Sequence, residues 1–130
     1  MENNKKNLIA IIEDEPAMQK VITDAFQISG FDVICESNGQ DGLTLILDKK
    51  PDLVILDIFM PIMDGEQMIK KLRLDDWGKN VPVVVLTNIS LDQSKLAKTI
   101  IETTPDFYLI KSDWSIHEIV KKAKEILAHE

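Results

Sequence analysis

Asp57 closes the run Leu53-Val54-Ile55-Leu56-Asp57, and a turn-forming stretch, Ile58-Phe59-Met60-Pro61-Ile62-Met63-Asp64-Gly65, follows at once. Leu53 to Leu56 read as a strand buried on both faces. Asp57 then stands at the strand's carboxyl end, where open α/β sheets place their ligand crevices. A carboxylate there can be a metal ligand, a nucleophile or the start of a turn. Other polar groups stand at equivalent points along the chain. Glu13, Asp14 and Glu15 follow the apolar run 8–12, Thr87 and Asn88 follow the β-branched run 81–86, and Lys111 follows 107–110. Taken singly, each has an ordinary structural use: Asp14 ahead of Pro16 can start a helix, and Thr87 can be just another β-branched strand residue.

The elements that carry these residues decide whether they meet. Short apolar runs predict strands at 8–12, 31–36, 53–57, 81–87 and 107–111. Between them, apolar residues at helical spacing predict helices over 16–29, 41–49, 65–76, 91–102 and 115–128. The last has the clearest stripe, through Ile116, Ile119, Val120, Ala123, Ile126 and Leu127. Gly30, Pro51, Gly78, Pro82 and Pro105 supply the punctuation. Strict alternation of strand and helix means βαβ units with right-handed crossovers. The fold class is therefore α/β, with a doubly wound five-stranded parallel sheet covered on both faces. Periodicity leaves the strand order open.

In such a sheet all strand carboxyl ends share one edge, so Glu13, Asp14, Asp57, Thr87 and Lys111 converge. Carboxylates held close repel one another and take up protons unless a cation intervenes. All-oxygen donors suit Mg²⁺, which is held by one or two carboxylates, keeps waters and shares its remaining positions with phosphate. His117 and His129 fall on or beyond the last helix, away from this edge, and no Cys/His cluster suggests zinc. A carboxylate beside Mg²⁺, a lysine and a hydroxyl is a set for phosphoryl transfer, with an aspartyl phosphate as product.

With these residues in view, the chain resembles the receiver domain of bacterial two-component response regulators, of the chemotaxis-regulator type. The motifs are Ile-Ile-Glu-Asp-Glu at 11–15, Leu-Asp-Ile-Phe-Met-Pro-Ile-Met-Asp-Gly at 56–65, Leu-Thr-Asn at 86–88 and Tyr-Leu-Ile-Lys at 108–111. The resemblance runs from about residue 8 to 127, one receiver domain within 1–130. It implies a flavodoxin-like three-layer sandwich with strand order 2-1-3-4-5. It also implies that Asp57 is the phosphoacceptor. Asp14 and Asp57 would bind Mg²⁺ directly, Glu13 through water, and Phe59 through its backbone carbonyl. Thr87 and Lys111 would contact the phosphoryl group, and Tyr108 would be the aromatic that turns as Thr87 moves. The implied phosphodonor is a histidine kinase or a histidine phosphotransfer protein. The implied readout is the 91–127 face, which would meet an effector protein or a second copy of the chain.

Three features of the chain bear on how closely it follows the family's pattern. Ser112 follows Lys111 where proline is common, and a cis bond to a non-proline residue costs roughly 3 kcal/mol. Asn88 stands where a small residue is usual. Phe59 and Ile89 are apolar at positions that in the family affect access of hydrolytic water, which suggests a long-lived phosphoryl state. An alternative is a degenerate receiver that binds partners without phosphorylation. A haloacid-dehalogenase-like phosphatase would need Asp-x-Asp after the first strand, and a flavin carrier a phosphate-cradling loop there; Glu13-Asp14-Glu15-Pro16 provides neither.

The resemblance implies a signalling domain that catalyses only its own phosphorylation and dephosphorylation, not an enzyme acting on other molecules, and the bulk properties bound the rest. At 130 residues the chain suits one domain of ordinary size. A net charge of −7 argues against direct nucleic-acid binding, and no apolar run is long enough to cross a bilayer. The polar start Met1 to Asn7 is unlike an export signal, so a cytoplasmic address is expected. The single cysteine, Cys35, is expected as a small buried hydrophobe.

Overall fold

A computed structural model describes residues 6–57, 65–87, 107–110 and 115–128. The elements in chain order are β1 (Leu8–Ile12), α1 (Pro16–Ile28), β2 (Asp32–Glu36), α2 (Gly39–Lys49), β3 (Leu53–Asp57), α3 (Gly65–Leu74), β4 (Val83–Thr87), β5 (Phe107–Ile110) and α4 (Ile116–Ala128). The helix expected over 91–102 lies outside the described residues. The strands form one parallel sheet in the order β2-β1-β3-β4-β5. That is the order the resemblance implied, and it puts β1 and β3, with their acidic ends, side by side near the centre.

Alternation along the central strands builds the two faces. Ala10, Ile12, Val54, Leu56, Val83 and Val85 point to one side, where Ile46 of α2 and Met68, Ile69 and Leu72 of α3 cover them. Ile9, Ile11, Leu53, Ile55, Val84 and Leu86 point to the other, beneath Ile22 and Phe26 of α1 and Ile119, Val120, Ala123 and Ile126 of α4. Because both faces are covered, β3 is buried throughout, Asp57 included. Each fully buried Leu, Ile or Val side chain contributes about 1.5–3 kcal/mol relative to exposure, so the central strands are rigid supports for whatever their ends carry.

Helix ends follow local chemistry. Pro16 opens α1 at its first turn. At the other end Gly30 takes a φ of +98°. The Gly30 amide donates to the Gln27 carbonyl and the Phe31 amide to the Phe26 carbonyl, both at 3.0 Å. This paired closure brings Phe31 edge-on to Phe26, with ring centroids 5.5 Å apart. α2 starts at Gly39, earlier than the expected 41, because the Asn38 side chain accepts from the Asp41 amide at 2.8 Å and caps the helix. α3 stops at Leu74 rather than 76, because the Asp75 carboxylate takes the amides of Trp77 and Gly78 at 3.0 and 2.7 Å and turns the chain.

Cys35 is a correction: it is exposed, not buried. β2 is an edge strand and its residues are only partly covered, so an apolar-looking segment did not mean burial here. Trp77, by contrast, packs against its own domain, on the α2/α3 side of the core.

Candidate functional site

The site grows out of the carboxyl ends of β1 and β3. The register pairs Ile12 with Leu56 on one side and with Glu36 on the other. The ladder continues from the Glu13 amide to the Glu36 carbonyl at 3.1 Å. Glu13 therefore lies alongside Asp57, and the Pro16 start of α1 forces the intervening residues into a tight turn. The Glu15 amide donates to Glu13 Oε2 at 3.2 Å and restrains that carboxylate.

One carboxylate oxygen from each of Glu13, Asp14 and Asp57 lies within 4.8 Å of the others. Glu13 and Asp57 are 2% and 7% exposed, whereas Asp14 faces solvent. Two unit charges 4.8 Å apart repel by about 3–4 kcal/mol at the effective dielectric typical of protein sites. Solvent reduces that for the Asp14 pairs, but Glu13 and Asp57 are both withdrawn from water. Such a set is costly without positive charge nearby, and its donors are hard oxygens without sulfur or imidazole. It fits a hard divalent cation that keeps part of its water shell.

Of the remaining sequence-predicted residues, Thr87 ends β4, one position beyond the Leu86 that pairs with Asp57. Tyr108 lies on β5 opposite Val85. β4 thus runs beside the acidic end of β3, and β5 lies one strand further out, paired with β4. Lys111, Phe59, Asn88, Ile89 and Ser112 lie outside the described residues. One site residue escaped the sequence reading. Gln19, one turn into α1, donates through Nε2 to the carbonyls of Glu13 at 3.0 Å and Glu36 at 3.2 Å. No motif marks it, because a glutamine on a helix ordinarily reads as a solvated residue.

Parallel order, a covered central β3 and an acidic crevice at the strand ends define a signalling domain of the receiver class. The family model for the response regulator receiver domain matches residues 9–124, and the chain belongs to that family. It is 29% identical over 119 residues to the phosphate regulon transcriptional regulatory protein PhoB of Pseudomonas aeruginosa, covering 92% of this chain and 51% of that protein. It is 33% identical over 123 residues to the virulence factors transcription regulator BvgA of Bordetella pertussis, covering 94% of this chain and 56% of that protein. The chain thus spans about half the length of the curated relatives it matches. Among solved structures, a CheY-like receiver domain protein from Methanospirillum hungatei superposes with a TM-score of 0.87 at 19% identity, covering 96% of each chain. The receiver domain of the Francisella response regulator 1452 gives 0.82 at 25% identity, covering 95% of this chain and 98% of that one. Among the described residues no helix is long and apolar enough to cross a membrane.

Proposed function

We propose that this chain is a phosphorylatable receiver, which accepts a phosphoryl group on Asp57 from a histidine kinase or a histidine phosphotransfer protein. The observation that carries this reading is the convergence of Glu13, Asp14 and Asp57, two of them buried, at the ends of adjacent central strands. A Asp57 carboxylate oxygen attacks phosphorus, the phosphorus–nitrogen bond of the donor phosphohistidine breaks, and the imidazole nitrogen keeps the bonding pair and takes up a proton. The product is an acyl phosphate on Asp57; water later cleaves it and restores the carboxylate. Asp14 and Asp57, with Glu13 through water and the Phe59 carbonyl, would hold Mg²⁺. When bound, that cation offsets the negative charge gathered on the acids and the transferring group. β1 and β3 hold Asp57 still, which matters because positioning supplies most of the catalysis in phosphoryl transfer.

Signalling follows as a population shift. Moving a two-state domain from 1:99 to 99:1 takes about 5.5 kcal/mol of differential interaction. One hydrogen bond to a charged group supplies about 1.5–3 kcal/mol, so a single new contact is insufficient. The phosphoryl group would need both partners assigned to it, the Thr87 hydroxyl and the Lys111 ammonium. Tyr108 on β5 would follow Thr87 on the neighbouring strand, carrying the change to the 91–127 face, where an effector or a second copy binds. With Phe59 and Ile89 apolar, the acyl phosphate is long-lived. The net charge of −7 supports protein rather than nucleic-acid partners for this domain, in the cytoplasm.

The complete acidic set supports this reading over a phosphorylation-independent interaction module. The test is incubation with Mg²⁺ and acetyl phosphate, followed by intact mass measurement. The expected result is one added, hydroxylamine-labile phosphoryl group, absent in Asp57→Asn. A folded protein that gains none is an interaction module instead.

A further inference from the structure

We propose that Gln19 is a positioning residue for the divalent-cation site, holding the Glu13-Asp14 turn in place so that the carboxylates cannot spread. The inference rests on the cation-dependent reading above and concerns a side chain that contacts none of the proposed reacting atoms. The regular pairing of β1 ends at Ile12, and the Glu13 amide extends it to the Glu36 carbonyl. The next polar group is the Glu13 carbonyl, which belongs to a residue only 2% exposed. Gln19 reaches back from α1 and donates to it at 3.0 Å. The same nitrogen donates at 3.2 Å to the Glu36 carbonyl, which already accepts from the Glu13 amide. A primary amide carries two N–H groups on one nitrogen, so a single side chain can pin the end of β1, the end of β2 and α1 to each other.

The pin acts where strain would otherwise be relieved. Carboxylates within 4.8 Å of one another push the turn outward. Asp14 is exposed and sits on the turn itself, so it would move most easily. The Glu15 amide restrains the Glu13 carboxylate, whereas Gln19 restrains the backbone beneath it. A site fixed in this way favours Mg²⁺, which demands near-octahedral geometry, over Ca²⁺, which accepts irregular oxygen shells.

The experiment titrates Mg²⁺ and Ca²⁺ by calorimetry into the wild type, Gln19→Met, Gln19→Asn and the control Gln27→Met on the exposed surface of the same helix. Methionine keeps the length of glutamine without donors; asparagine keeps the amide but falls one methylene short. The expected result is a loss of about 10-fold in Mg²⁺ affinity for both Gln19 variants, the size seen when groups supporting metal ligands are removed. Ca²⁺ affinity should fall by a smaller factor, and Gln27→Met should match the wild type. Unchanged Mg²⁺ affinity in both Gln19 variants overturns the proposal. So does an equal loss for both cations accompanied by a lower melting temperature, since that marks general loosening of α1. A wild type that takes up neither cation overturns the cation-dependent reading itself.

Discussion

Gly42 offers a sharp test of how the site's supports are packed. It lies in α2, and a Cβ built there would sit 2.9, 3.0 and 3.2 Å from Cγ2, Cδ1 and Cγ1 of Ile12. Ile12 is fully buried and is the residue immediately before Glu13. Its Cδ1 could swing aside, but Cγ2 sits on a stiff β-branched carbon and cannot. Alanine in place of glycine within a helix gains roughly 0.5–1 kcal/mol. Overpacking a filled core costs typically about 1–3 kcal/mol. The clash should win, and Gly42→Ala should destabilise the protein by about 1 kcal/mol, read as a lower urea midpoint at unchanged slope. In an Ile12→Ala background the obstructing atoms are gone. That substitution alone should cost about 2–5 kcal/mol, and adding Gly42→Ala should then recover part of it. The effect of one methyl group thus changes sign, a coupling of about 2 kcal/mol between contacting residues. Gly42→Ala raising stability in the wild-type background would refute the reasoning, because helix propensity would then outweigh the contact.

Three further outcomes are expected. Asn38→Ala should cost about 1 kcal/mol by chemical denaturation, since it removes the acceptor that meets the Asp41 amide at 2.8 Å. Mg²⁺ at 100 times its dissociation constant should stabilise the protein by about 2.7 kcal/mol, and most of the thermal shift should vanish in Asp57→Asn. At the start of α4, hydrogen bonds from Ser115, first through its backbone amide, hold the Glu118 carboxyl below the usual carboxylate range. A depressed folded-state value stabilises above the unfolded value and is lost as pH falls through the folded one. Amide protection in the first turn of α4 should therefore drop at acid pH, and Glu118→Gln should flatten that dependence.

The sequence made the strands legible wherever burial was complete. β1 and β3 match their expected spans residue for residue, because an element covered on both faces must be apolar throughout. β2 misled at Cys35, since an edge strand keeps strand-like residues without full cover. Helix boundaries moved where side chains at the ends decided them, as Asn38 does for α2 and Asp75 for α3. The convergence of Glu13, Asp14 and Asp57 was readable because the fold class alone puts strand ends on one edge. Gln19 was unreadable: its role depends on two carbonyls contributed by different strands, a coincidence of tertiary geometry without a spacing rule.

The exposure of Cys35 has a practical consequence. It is the sole cysteine in the chain, and it precedes the Glu36 whose carbonyl Gln19 holds. A thiol-directed fluorophore or spin label would attach at one point, without a cysteine-free background having to be engineered first. It would sit on the edge strand β2, one residue before the strand end that Gln19 holds. The unaltered sequence thus comes with its own attachment point for spectroscopy.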